Sequence, residues 1–289
     1  MFKKVSIIGL GLIGGSIAAG MKKRGLVEQV CAFDADPIAL QNGLSLQVID
    51  ETADSVEACI IESDLVVLAV PVLSIPETLV SLKAVFKDGS CTVTDVGSVK
   101  SPIIKTAEEV YAQVPQNLVP GHPIAGSEKH GVTAANPDLF ENHKVILTPT
   151  DSVSKRATRI VTDLWQALGA NVMEMTASHH DGVFARTSHL PHLLAYALVD
   201  MLSKQGDSLE IFQYAAGGFR DFSRIAASDP IMWRDIFQAN QDEVLNSLDN
   251  YLDELGDIRE MIADGRMEDL AELFKRAKLA RDYFSGLGE

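Results

Sequence analysis

The sequence predicts a doubly wound α/β domain over residues 1–176, followed by an all-α helical domain over residues 177–289. Three observations carry this. Short β-branched runs alternate with helical spacing as far as Met175, a glycine string separates the first strand from the first helix, and the strand signal stops after Ala177. A chain of 289 residues has room for about two domains, each with its own core.

Taken in order, the predicted strands are Lys4–Ile8, Gln29–Phe33, Leu65–Val70, Thr92–Thr94, Leu118–Val119, Val145–Thr148 and Asn171–Met175. The run DLVVLAV is continuously apolar, as suits a strand covered on both faces in a parallel sheet. Between the strands, Gly14–Arg24, Ile75–Phe86, Ser101–Tyr111 and Ser152–Leu168 carry apolar residues at helical spacing. Beyond Ala177, SHHDGVFARTSHLPHLLAYALVDMLSKQG reads as one long helix that tolerates Pro191 with a kink. The remainder is helical by spacing, with breaks expected near Gly256 and Gly265. The sequence shows no internal repeat, low-complexity stretch or linker.

Charge narrows the partners. Forty acidic against 25 basic side chains give −15, which argues against nucleic acid and against an anionic membrane surface. Residues 235–272 hold 12 of the acids and only 2 arginines, and read as a solvated helical face. Cys31, Cys59 and Cys91 are odd in number and widely spaced, so no disulfide framework is expected and a reducing cytoplasm fits. The uncharged run Val5–Met21 mimics a signal peptide, but five glycines within it favour a strand, a turn and a helix.

That turn carries the first chemical signal. Gly9, Gly11 and Gly14 form G-x-G-x-x-G immediately after a strand and at the opening of a helix, a Rossmann-type arrangement. The first glycine allows the tight turn, the second admits a pyrophosphate against the backbone, and the third lets helix and strand pack closely. Unpaired N–H groups at the helix start then face the diphosphate. Asp34 follows 20 residues after Gly14, where an acid grips a ribose 2′-hydroxyl. No arginine lies between residues 35 and 50, and Asp36 adds a second acid, so NAD is favoured over NADP.

Among the histidines, His122 stands out. It lies in NLVPGHPIAGSEKHG, between Gly121 and Pro123, just past a strand at the sheet's carboxyl edge, where ligands bind. A neutral imidazole there can accept a proton. Ser98, in TVTDVGSVKS, occupies the matching position past another strand. His189 and His192 are three apart on one helix; without HExxH or a third ligand, substrate contact or packing is favoured over metal. His179 and His180 read as helix-start or surface residues, and His143 as structural.

The motifs GLGLIGGSIA, AVPV, DVGSVK, GHPIAGSEKHG, SHLPHLLA and GGFRDFSRIAASDPIMWRDI occur in this order. In this the chain resembles the prephenate and arogenate (cyclohexadienyl) dehydrogenases of tyrosine biosynthesis from residue 1 to about 240. The resemblance implies NAD-dependent oxidative decarboxylation of prephenate to 4-hydroxyphenylpyruvate, of arogenate to tyrosine, or of both. It makes His122 the acceptor for the ring hydroxyl and Ser98 a hydrogen-bond partner of that hydroxyl. It gives Arg224 the substrate carboxylate, with Arg220 as a weaker candidate, and lines the pocket with His189 and His192. Trp233 fits either a pocket wall or the core. Glu128 is the candidate for an ion pair that opens and closes the site. Leu12, Ile13, Val70 and Pro71 join Gly9, Gly11, Gly14 and Asp34 at the cofactor.

The same resemblance implies a homodimer through the helical domain and a chain without fused mutase or regulatory domains. Tyrosine inhibition, if present, then acts at the active site. Two other readings remain open on sequence. A β-hydroxyacid dehydrogenase also joins a Rossmann domain to a helical one, but relies on a helical-domain lysine with no matching motif beside residues 177–204. An NAD-sensing regulator keeps the glycines and Asp34 without needing His122, Ser98 and Arg224 together.

Overall fold

A computed structural model of the chain describes residues 2–89, 91–126, 129–205 and 212–286. Six strands, β1 (Phe2–Ile8), β2 (Val27–Phe33), β3 (Glu51–Thr52), β4 (Leu65–Leu68), β5 (Thr92–Asp95) and β6 (Leu118–Val119), form an all-parallel sheet. Their order is β3-β2-β1-β4-β5-β6, the doubly wound arrangement whose ligand crevice opens between β1 and β4. The period of two along β4 explains its wholly apolar sequence. Leu65 and Val67 pack with Ile17, Met21 and Trp165 on one face, while Val66 and Leu68 pack with Ile75, Leu79 and Ile103 on the other.

Among the described residues, seven α-helices accompany this part of the chain: α1 (Leu12–Lys23), α2 (Pro37–Ser45), α3 (Val56–Cys59), α4 (Ile75–Ser81), α5 (Lys83–Asp88), α6 (Ser101–Tyr111) and α7 (Lys155–Ala167). The single helix expected over Ile75–Phe86 is divided at Leu82 into α4 and α5. Helix α2 escapes the spacing argument because Gly43 is its only buried residue; its signal is the cap, with Asp36 accepting from the Ile38 N–H at 2.9 Å and Pro37 in the first turn.

The last two predicted strands do not extend the large sheet. With the short β7 (Gly121–Pro123) they form a second sheet of three: β7 is antiparallel to β8 (Lys144–Leu147), which is parallel to β9 (Asn171–Glu174). Pro120, without an N–H to donate, ends the β6 ladder, and its carbonyl instead accepts from Thr148 N at 2.9 Å. His122 is therefore held in a strand rather than in a loop.

Beyond β9 the described residues are mainly helical. The long helix expected from Ser178 is observed as α8 (Ala177–Phe184), a π turn at Ala185–His189 and α9 (Leu190–Ser203). Pro191 cannot donate to a residue one turn back and its ring crowds that carbonyl, so the wider π turn just before it takes up the misfit. Next come α10 (Gly217–Ser223), a 3₁₀ turn at Arg224–Ala227 and α11 (Pro230–Ala239), the last capped by Asp229 accepting from Ile231 and Met232 N–H. Residues 1–241, with both sheets and the helices through α11, form one compact unit.

Residues 242–289 form a second unit, built from most of α12 (Gln241–Ala263) and from α13 (Met267–Gly286). The break expected near Gly256 is absent, since α12 runs through it; the break at Gly265 is present, with φ +69°. The acids of α12 and α13 are exposed apart from half-buried Glu243, but Asp235, which opens the acidic stretch, is buried and paired with Arg234. Among the described residues, no helix is long and apolar enough to cross a membrane.

Candidate functional site

The dinucleotide loop is shaped by what its glycines lack. At Gly9 the φ of +96° is open to glycine, and a Cβ there would lie 2.5 Å from the Ala69 carbonyl oxygen. At Gly14 a Cβ would sit 2.1 Å from the Gly9 oxygen, so the helix start closes onto β1 only without one. Gly11 has open space where its Cβ would be, as a ligand approaching the backbone requires. Asp34 braces the loop, accepting from Leu10 N–H at 2.6 Å and Asp36 N–H at 2.8 Å. Leu12 and Ile13 open α1, half-buried, while Val70 and Pro71 follow β4 on the other side of the crevice. The cofactor residues expected from sequence thus gather at the carboxyl ends of β1, β2 and β4.

His122 is half-buried in β7, and its Nδ1 lies 2.9 Å from Nε2 of His180 on α8. His180 Nδ1 is in turn 2.8 Å from Oδ1 of Asp181. That carboxylate also accepts the backbone N–H of Lys100 at 2.8 Å and of Ser101 at 2.7 Å, at the start of α6. Burial pushes the Asp181 carboxyl up, but the hydrogen bonds from His180, Ser101 and Lys100 prevail and hold it below its ordinary range. An ionised Asp181 fixes every proton in the chain. His180 donates from Nδ1 and accepts at Nε2, so His122 donates from Nδ1 and keeps Nε2 as a free acceptor. Burial first, then His180, Lys100 and His189, drive the His122 pKa well below its ordinary value, so the ring is neutral at pH 7.

A second histidine set adjoins the first. His189, in the π turn, is buried; its Nδ1 is 3.2 Å from Nδ2 of Asn240, which also donates to the Asp181 carbonyl at 3.0 Å. Burial pushes the His189 pKa down to about 4. His192 donates from Nδ1 to the Ser188 carbonyl at 2.8 Å and stacks on Trp233 with centroids 3.8 Å apart. Trp233 is buried and packs with Val72 beyond β4 and Val99 beyond β5, and its Nε1 has no partner among the described residues. It is at once core and wall. The Arg224 charge adds to burial in lowering the His192 pKa, and Arg224 itself is exposed in the 3₁₀ turn that follows α10. Ser98, half-buried, directly precedes Val99.

The π turn is what aligns these sets. In an unbroken α-helix, residues 181 and 189 lie about 80° apart around the axis. One residue taken up by the wider turn reduces this to about 20°. Asn240 therefore reaches both.

One expectation is corrected here. His180 does lie in the first turn of α8, as expected, but it is a buried link in the relay and not a surface residue. Arg220 is exposed on α10, with no side-chain partner given by the structure among the described residues, and Glu128 lies outside the described residues. Sequence reasoning also missed Asp181, Asn240, Asp95 and Lys100; the only local signals were the HHD triplet and the aspartate and lysine at the two ends of DVGSVK. Among the described residues no group of three or more His, Cys, Asp or Glu is arranged to hold a metal ion.

Comparison with known proteins finds relatives along nearly the whole chain. Residues 17–174 match a family model described as prephenate dehydrogenase, nucleotide-binding domain, and residues 176–276 one described as prephenate dehydrogenase, dimerization domain. A cyclohexadienyl dehydrogenase of Zymomonas mobilis is 37% identical over 284 residues, covering 97% of this chain and 96% of that protein. A prephenate dehydrogenase of Bacillus subtilis is 39% identical over 287 residues, covering 98% of this chain and 76% of that one. The crystal structure of Aquifex aeolicus prephenate dehydrogenase with hydroxyphenyl propionate and NAD+ superposes with a TM-score of 0.89 at 37% identity, covering 97% of this chain and 98% of that one. Two family models that together span residues 17–276, and relatives matched over nearly the whole chain, lead to one conclusion: the chain belongs to the prephenate dehydrogenase family of oxidoreductases.

Proposed function

We propose that this protein is an NAD-dependent dehydrogenase that oxidatively decarboxylates prephenate to 4-hydroxyphenylpyruvate, arogenate to tyrosine, or both. The observation that carries the reading is the His122–His180–Asp181 chain, which leaves Nε2 of His122 as a free acceptor. The open backbone at Gly11, with Gly9, Gly14 and Asp34 around it, fits a dinucleotide, held also by Leu12, Ile13, Val70 and Pro71. NAD, when bound there, accepts the hydride from the ring carbon that carries the hydroxyl.

The chain's own residues have three tasks. As the hydride leaves, the ring hydroxyl becomes acidic, and His122 Nε2 takes up its proton. Positive charge then reaches His122, and His180 passes its influence to the ionised Asp181, so the imidazolium is stabilised chiefly in the transition state. Ser98 hydrogen-bonds the same hydroxyl and keeps it in register with His122. Arg224 pairs with a substrate carboxylate, for which a planar guanidinium is suited, and His189, His192 and Trp233 line the pocket. Aromatisation drives the loss of carbon dioxide. We assign residues 1–176 to the NAD-binding domain and residues 177–289 to a domain for substrate binding and dimerisation. The family description of residues 176–276 as a dimerization domain supports a homodimer.

The direct test is NADH formation with prephenate, arogenate and a panel of hydroxyacids. Turnover of a cyclohexadienyl acid is expected; turnover of hydroxyacids alone, or of none, would reject the reading.

A further inference from the structure

Lys100 is fully buried, and the mechanism just described makes no use of its side chain. Its ammonium pairs with Asp95 at the end of β5 and donates to the Gly121 carbonyl at 2.6 Å. Asp95, equally buried, accepts the Gly121 N–H on its Oδ1 at 3.3 Å and the Gly97 N–H on its Oδ2 at 2.8 Å. The ion pair thus grips the N–H and the C=O of the residue just before His122. The main chain of Lys100 meanwhile holds Asp181, the far end of the histidine relay. Lys100 is thus bonded to the residue before His122 at one end of the proton path and to Asp181 at the other.

We propose that Asp95 and Lys100 act as positioning residues of the reaction, clamping the Gly121 peptide so that His122 is aimed at substrate and aligned with His180. The inference rests on His122 being the proton acceptor. Stability alone is a poor reason for such a pair. Burying two charges costs several kcal/mol each before their attraction is counted, and well-packed apolar residues often serve as well. What apolar residues cannot do is donate to one carbonyl and accept from one N–H of the same residue. The charges around His122 are Lys100 and Asp95 from the β5–α6 segment and Asp181 from α8, with His180 and His189 neutral beside them. Burial lowers the pKa of Lys100, while Asp95 and Asp181 oppose that shift.

The test compares Lys100→Met, the double variant Lys100→Met/Asp95→Asn and His122→Asn in the full chain. Readouts are kcat and KM with prephenate, NAD affinity by fluorescence titration, the pH dependence of kcat/KM and the thermal midpoint. Lys100→Met is expected to bind NAD normally and lose about 10- to 10²-fold in kcat, the scale of a misaligned catalytic group. Its acid limb is expected to move to higher pH, because a positive charge has gone while Asp95 and Asp181 remain. The double variant leaves no buried charge alone, so it decides the matter if the single variant does not fold; it too is expected to lose kcat. Wild-type kcat with an unmoved acid limb in either folded variant would overturn the clamp. So would a proportional loss of NAD binding and turnover, or failure of both variants to fold, since these mark a structural role. Near-normal turnover in His122→Asn would instead remove the reading on which the clamp depends, whatever Lys100 does.

Discussion

At the scale of single residues, His122→Asn is expected to lower turnover by roughly 10²–10⁴ with NAD affinity unchanged. Steady-state NADH formation beside an NAD titration checks both halves. Arg224→Ala is expected to raise KM for the cyclohexadienyl acid while sparing NAD; equal losses for both ligands would indicate general disruption. Asp34→Ala should narrow the preference for NAD over NADP, and an unchanged ratio would remove Asp34 from the ribose contact. Because Asp34 also holds the Leu10 N–H, some weakening of NAD itself is expected. His122, Ser98 and Asp34 were legible because each follows a recognisable strand. His180, Asp181, Asn240 and Lys100 were not: His122 and His180 are 58 positions apart, and the Lys100 and Asn240 bonds to Asp181 span 81 and 59. No local pattern announces a partner at that distance.

At the scale of elements, the glycine loop is the least forgiving. Gly14→Ala places a methyl group 2.1 Å from the Gly9 carbonyl oxygen, a backbone atom that cannot swing aside. Loss of NAD binding together with a lowered thermal midpoint is expected, and a variant that binds NAD normally would refute the close-packing argument. Most of the sheet was legible because β1, β2 and β4 are long or wholly apolar. Strands β3 and β7 have two and three residues and, unlike the equally short Leu118–Val119 of β6, carry no apolar run to mark them. The division of α4 from α5 and the separate second sheet come from tertiary packing and from Pro120, not from hydrophobic spacing.

At the scale of the whole molecule, acid is expected to unfold the protein through its buried histidines. The unfolded chain takes a proton on His189 near pH 6.5, whereas the folded chain resists until about pH 4. Stability therefore falls as pH drops through that window, by up to roughly 1.4 kcal/mol per pH unit for this group. Urea midpoints at about pH 7 and about pH 5 should separate, and less so in His189→Gln; identical slopes would reject the linkage. The acidic stretch predicted from composition is indeed exposed along α12 and α13, apart from half-buried Glu243. The π turn has a consequence of another kind. It makes chain length a determinant of function, because Asn240 can serve Asp181 and His189 together only while one surplus residue is stored between them. A relative that keeps every histidine but lacks that one position would carry the full set of catalytic letters and lose their common reading frame. Deleting one residue from Ala185–His189 is therefore expected to lower turnover although every histidine is kept, and NADH formation by the deletion variant checks it.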